Sequence, residues 1–143
     1  MDEEDCNPGI SSTERARLLE DAMQKTKLFV PMRKDQWPIV YHQLYNISFF
    51  GMERLHPFDA GKWGKVHQYL VEAGMLTPDT TVKPMAASTA DLRVVHTERY
   101  LNSLNWSVVV AGIMEVPPVA CLPNCIVQRK ALKPFRLHTG GTI

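Results

Sequence analysis

Apolar residues recur at helical spacing in the middle of the chain. Over residues 60–73, Trp63, Val66 and Leu70 follow one another three or four positions apart, and Gly74 stands where a helix C-cap is expected. The pattern predicts an amphipathic helix over this range, with Trp63 in the core.

A weaker helical period covers residues 14–27. Ser11 and Glu14 stand three positions apart, which is the spacing of a capping box. Because many charges interrupt the period, we expect a solvated extension rather than a core helix, preceded by a disordered acidic leader over residues 1–12. The apolar residues on one side of this helix are Leu18, Leu19, Ala22 and Met23.

Shorter apolar runs predict further elements. Residues 39–41 are β-rich and are expected to form a buried strand, whereas residues 108–111 could form a strand or a helix, which periodicity cannot decide. Ser88 and Asp91 repeat the capping-box spacing before a short helix, and Thr97 is expected to cap another.

Two loops are stiffened by proline. In the first, Pro57 restricts His56 to extended backbone, and Asp59 stands where the N-cap of the following helix is expected. His56 could therefore contact a ligand or simply hold the loop. The second loop, residues 116–123, carries three prolines but is otherwise apolar, so it either packs beneath another element or lines a pocket.

The last segment is basic. Asn124 is expected to cap a helix that ends near Pro134. Residues 129–136 are expected to form a solvated face of this helix; the more specific alternative is that they bind an acidic partner. Gly140-Gly141 favours close helix packing over phosphate binding, and a further helix is expected to begin near Thr139.

Composition limits the classes of function. With 143 residues and 45% apolar content, the chain is expected to form a single domain with a core. A net charge of +1 argues against direct nucleic-acid binding. No apolar run reaches the ~20 residues of a membrane span, and the acidic N-terminus does not resemble a signal peptide. An intracellular protein is therefore expected, and the three cysteines predict no disulfide framework.

No complete catalytic or metal-binding pattern is present. The five histidines are scattered, and Cys121 and Cys125 supply at most one half of a zinc site. No phosphate-binding or nucleophile-elbow motif occurs. From the residues alone, the chain is expected to be a soluble α/β domain with two stiff loops.

Several strings, taken in order, resemble the N-terminal part of class IV histone deacetylases over residues 26–143, with residues 1–25 outside the match. The His-Pro-Phe-Asp-Ala-Gly-Lys-Trp and Leu-Pro-Asn/Gln-Arg-Lys strings are specific to that class. The motifs are Trp37-Pro38-Ile39-Val40-Tyr41, Leu55-His56-Pro57-Phe58-Asp59-Ala60-Gly61-Lys62-Trp63-Gly64-Lys65, Asp91-Leu92, Val94-Val95-His96-Thr97, Arg99-Tyr100-Leu101, Pro117-Pro118-Val119, Leu122-Pro123-Asn124 and Val127-Gln128-Arg129-Lys130.

The resemblance implies an arginase/deacetylase-like three-layer α/β domain built on a parallel sheet, incomplete and helix-rich here. It also implies zinc-dependent hydrolysis of acyl groups from lysine side chains of histone or non-histone proteins, in the nucleus, the cytoplasm or both. The family's zinc ligands and general-base histidines follow the Gly-Gly-Thr-Ile segment and are absent from this sequence. We therefore expect an N-terminal fragment that binds no zinc, is inactive and is poorly stable alone.

The same resemblance assigns the two stiff loops to the rim of an acyl-lysine tunnel, and Lys62 to the position of a basic residue near an internal channel. The second loop lacks an acidic residue between Val116 and Asn124, so we expect an apolar rim. The alternative function is a non-catalytic interaction or regulatory fragment, which would dock a partner through its basic helix, Arg129 to Arg136, and its leader helix. The implied rim residues are His56, Pro57, Phe58, Asp59, Lys62, Pro117 and Pro118.

Overall fold

The computed structural model describes residues 11–143, and for Arg15, Leu19, Ala22 and Met23 it describes the backbone alone. The expected disorder of the acidic leader and the expected positions of three of these side chains lie outside what is described. Short 3-10 turns occur at Gln43–Tyr45, Met52–Leu55 and Pro117–Cys121. The helices are α1 (Ser12–Lys25), α2 (Lys62–Glu72), α3 (Thr89–Leu92), α4 (Glu98–Ser103), α5 (Ser107–Met114), α6 (Asn124–Val127) and α7 (Lys133–Thr142).

Local capping signals set several helix starts as expected. The Ser11 hydroxyl accepts a hydrogen bond from the Glu14 amide, and Thr97 caps α4 in the same way. Ser88 and Asp91 form the predicted capping box in full at the start of α3. These predictions are confirmed because each cap depends on residues only three positions apart.

The start of α2 differs from the prediction. Gly61, not Asp59, is the N-cap residue, and the Asp59 carboxylate instead accepts the Gly61 amide at 2.9 Å in a turn before the helix. The C-cap of α2 is Ala73, one residue before the predicted position. Gly74 follows it in the left-handed conformation with a φ of 69°, and its amide donates to the carbonyl of Val71, so the glycine still ends the helix.

The helix-rich character is confirmed, but the expected parallel sheet is not seen. Within residues 11–143, strand-like pairing is limited to one parallel bridge between Val40 and Val82. The Tyr41 amide donates to the Val82 carbonyl, and the Val82 amide donates to the Ile39 carbonyl. The prediction of a buried strand over residues 39–41 is therefore wrong for this structure, since a parallel strand needs a paired neighbour along its length and cover on both faces.

The C-terminal segment is one continuous helical path, which corrects three predictions. Pro123, not Asn124, precedes the first turn as N-cap, and the Asn124 side chain donates to the Leu104 carbonyl instead. A π turn at Gln128–Leu132 lies directly before α7, so Pro134 sits in the first turn of α7 instead of ending a helix. A proline lacks an amide and crowds the carbonyl four residues back, and the wider π turn removes that conflict. Thr139 consequently lies within α7 and begins no new helix.

The core lies where α5, the following 3-10 turn and the π turn meet. Residues 108–111 belong to α5, which settles the open choice in favour of a helix. Trp63 is not in this core, since its side chain is 44% exposed. In the described part of the chain, no helix is long and apolar enough to cross a bilayer. The buried core residues are Phe49, Val110, Ala111, Val116, Val119, Val127 and Ala131.

Candidate functional site

The His56-Pro57 loop is held by the histidine ring itself. The Phe58 amide donates to His56 Nδ1 at 3.0 Å, and the His56 amide donates to the Glu53 carbonyl at 3.3 Å. Because Nδ1 accepts a hydrogen bond, the neutral ring carries its proton on Nε2. Nε2 lies 3.9 Å from a carboxylate oxygen of Glu115, so His56 shapes its own loop and reaches the end of α5.

Lys62 joins the loop to α2 through aromatic contacts. Its ammonium nitrogen lies 4.0 Å from the centroid of the Phe58 ring and 4.7 Å from that of Trp63. A cation this close to two rings is attracted by both quadrupoles, which favours the observed arrangement of the two rings. On the other side of the loop, the Lys65 ammonium and the Asp59 carboxylate form an exposed ion pair at 2.6 Å, which lowers the pKa of Asp59.

These rings line a cleft of about 430 Å³, which we call the aromatic cleft. Its walls are mostly apolar, and its titratable side chains are Glu53, His56 and His138 together with Tyr45. The shape and chemistry suit an aliphatic or aromatic group better than a charged one. The lining residues are Tyr45, Ile47, Glu53, His56, Phe58, Ala60, Trp63, Ile113, Met114, Val116, Phe135 and His138.

One wall of the aromatic cleft is a stacked pair. The His138 and Tyr45 rings lie 4.1 Å apart and almost parallel, and His138 Nε2 is 3.2 Å from the Tyr45 carbonyl oxygen. The Tyr45 hydroxyl donates to the Leu137 carbonyl at 3.3 Å, and burial raises the pKa of Tyr45. The Tyr45 hydroxyl and His138 Nε2 are therefore both engaged with backbone carbonyls, and the two rings present apolar surface to the cleft.

The cleft-lining residues Tyr45, Phe135 and His138 were not predicted. Phe135 and His138 stand three apart on α7, a spacing that places two side chains on one helix face. This spacing was not used in the prediction, because the helix was expected to end near Pro134, before both residues.

The seven predicted rim residues are only partly brought together. His56 and Phe58 line the aromatic cleft, and the same two residues line a neighbouring depression together with Pro57 and Asp59. Lys62 lines neither of the two and contacts the Phe58 ring instead. Pro117 and Pro118 are exposed at the start of their 3-10 turn and do not contribute to the cleft lining, which Val116 reaches instead.

The side chains of residues 11–143 do not fit a zinc ion. Among residues 11–143, no three His, Cys, Asp or Glu side chains are grouped to hold a metal. Cys121 and Cys125 are free and exposed. The aromatic cleft can therefore bind and orient an apolar group, but these residues offer it no metal-bound nucleophile.

The chain is similar to a curated protein named Histone deacetylase 2 from Arabidopsis thaliana. The two are 47% identical over 132 residues, which is 92% of this chain and 34% of that protein. The chain thus spans about a third of the length of the relative that it matches. No protein-family model and no solved structure matches the chain. The similarity supports a relationship to the histone deacetylase family.

Proposed function

We propose that this chain supplies the wall of the acyl-lysine tunnel in a zinc-dependent lysine deacylase of class IV type. The observation that carries the proposal is the 47% identity to Histone deacetylase 2 across nearly the whole chain. The class assignment rests on two strings, His56 to Trp63 and Leu122-Pro123-Asn124 with Gln128-Arg129-Lys130. The substrates would be acyl-lysine side chains of histone or other proteins, and the role would be transcriptional repression, in the nucleus, the cytoplasm or both.

The aromatic cleft supports this role through its shape. Phe58 and Trp63 form one side, held by Lys62, and the stacked rings of Tyr45 and His138 form another. An acyl chain buried between such rings would gain roughly 25 cal/mol per Å² of apolar surface removed from water. A longer aliphatic acyl group would gain more than an acetyl group, so we propose a preference for long chains.

We further propose that the chain hydrolyses nothing by itself. Its sequence has no Asp-x-His string and no adjacent histidine pair. Among residues 11–143 no metal-holding group exists either. In this proposal, zinc and the general base belong to the two thirds of the relative that this chain does not span.

A chimera tests the proposal directly. The matched segment of Arabidopsis Histone deacetylase 2 is replaced by the corresponding residues of this chain, and release of the acyl group from acetyl-lysine and dodecanoyl-lysine peptides is measured. We expect zinc-dependent hydrolysis by the chimera, abolished by a chelator, and none by the chain alone.

Two controls make the result decisive. The unaltered relative gives the reference rate, and a chimera with Phe58→Ala and Trp63→Ala tests the cleft wall. A folded but inactive chimera would contradict the proposed function, as would activity of residues 1–143 alone. Equal rates of the two chimeras on the dodecanoyl peptide would contradict the role of the cleft.

A further inference from the structure

A tight turn at residues 49–52 carries an unfavourable residue. The Met52 amide donates to the Phe49 carbonyl at 2.9 Å, and both central residues have positive φ, 54° at Phe50 and 93° at Gly51. These are the angles of a type I′ turn, whose first central position favours Asn, Asp or Gly. A phenylalanine there is strained, and strain of this kind concentrates at functional positions.

Burial does not explain the phenylalanine. The Phe50 side chain is 74% exposed, whereas its neighbour Phe49 is fully buried in the core. The Glu53 carboxylate stabilises the turn by accepting hydrogen bonds from the amides of Phe49 and Gly51. The turn is therefore rigid and presents an aromatic ring to solvent.

A basic side chain lies beside this ring, and two more are close to it in the sequence. The Lys130 ammonium is 5.7 Å from the Phe50 ring centroid, and Arg129 and Lys133 are exposed on the same helical path. Arg129 and Lys130 lie in the π turn and Lys133 directly follows it, so the three cations stand within five consecutive residues of that path. None of the three forms an ion pair with an acidic side chain of residues 11–143, in contrast to Lys65, which is paired with Asp59.

We propose that Phe50, Arg129, Lys130 and Lys133 form a docking surface for an acidic protein segment with one apolar anchor residue. The anchor would pack on the Phe50 ring, and the carboxylates would face the three cations. Charge complementarity supports an acidic partner. A protein partner is favoured over nucleic acid because three cations are few for a phosphate backbone and the net charge of the chain is only +1.

The test uses the whole 143-residue chain and a fluorescein-labelled peptide of Asp and Glu around a central Leu. Fluorescence anisotropy should show binding that weakens as salt is added. The triple variant Arg129→Glu, Lys130→Glu, Lys133→Glu should bind at least about tenfold more weakly, and Phe50→Asn several-fold more weakly. Lys34→Glu, on an exposed turn with no such ring, should bind as wild type.

Three results would overturn the proposal. They are absent binding by the wild-type chain, equal binding by the triple variant, and tighter binding of single-stranded poly-dT than of the peptide. Circular dichroism checks that each variant keeps its helix content. If the triple variant unfolds, Lys130→Gln and Lys133→Gln are compared singly, and each should weaken binding about twofold to fivefold.

Discussion

The backbone of Gly140 lies directly against the carbonyl of Met85, so that a β-carbon on Gly140 would overlap the Met85 oxygen. The next residue is also crowded, because a β-carbon on Gly141 would meet the Tyr45 hydroxyl, which belongs to a side chain. The same approach lets the Ala87 amide donate to the Arg136 carbonyl at 2.9 Å. The Gly-Gly pair therefore permits close helix packing, as its sequence context predicts.

Replacing Gly140 with Ala should destabilise the fold. The new methyl group meets backbone, which cannot swing aside as a flexible side chain can, so α7 or the segment after Met85 must shift. Overpacking of this kind costs about 1–3 kcal/mol, which urea unfolding followed by circular dichroism measures as a change in midpoint.

Gly112 provides the matched control. It lies inside α5, and a β-carbon there would have nothing within 4 Å. Gly112→Ala should stabilise the chain by roughly 0.5–1 kcal/mol, because alanine loses less backbone freedom on folding. Equal effects of the two substitutions would contradict the packing role of Gly140.

The sequence predicts local features well and tertiary features poorly. The cap at Ser88 and the glycine that ends α2, Gly74, were predicted because each depends on residues a few positions away, although the C-cap itself is Ala73. The helix end predicted near Pro134 was wrong, because a preceding π turn accommodates the proline ring. No local sequence pattern predicts that π turn. The hidden continuation of α7 then concealed His138 and hence one wall of the aromatic cleft.

Phe50→Asn should stabilise the fold. Asparagine tolerates the left-handed conformation of a type I′ turn, and the exposed phenylalanine ring gives up little burial. After the loss of the contact with Lys130, we expect a net gain of about 0.5 kcal/mol in the free energy of unfolding.

Leu55→Asn is the control for the Phe50 substitution, because Leu55 is also largely exposed but has no positive φ. It should bring no gain. A gain at Leu55, or a loss at position 50, would show that turn strain is not the cause. If Phe50→Asn is more stable but binds the acidic peptide less well, the strained phenylalanine is kept for binding and not for stability.

Asp91 should make stability depend on pH in the acid range. Its carboxylate accepts the Ser88 hydroxyl at 2.6 Å, the Ser88 amide at 2.8 Å and the Thr26 hydroxyl at 2.8 Å. The Ser88 hydrogen bonds, above all, hold the pKa of Asp91 below its usual value of 3.8. A lowered folded-state pKa stabilises the fold above the unfolded-state value, and that stabilisation is lost as pH falls through the folded-state pKa.

Asp91→Asn should therefore cost about 1 kcal/mol at neutral pH, the usual value of a lost helix cap. The difference from wild type should be constant above about pH 5 and should shrink as pH falls below about 4. Chemical unfolding at a series of pH values measures it. A difference that stays the same down to the lowest pH would contradict the assignment.

Lys62 should stabilise the wall of the aromatic cleft through its two ring contacts, and a double-mutant cycle isolates that contribution. Lys62→Met keeps the apolar stem and removes the charge, while Phe58→Leu keeps bulk and removes the ring. We expect a coupling energy of about 0.5–1 kcal/mol between the two substitutions in urea unfolding, because the cation loses its attraction only where the ring is present.

Lys62→Arg keeps a cation over both rings and should retain most of that coupling with Phe58. The matched cycle of Lys65→Met with Phe58→Leu should give a value near zero, since the Lys65 ammonium pairs with Asp59 instead. Equal coupling energies in the two cycles would show that the contacts of Lys62 with the Phe58 and Trp63 rings do not stabilise the cleft wall specifically.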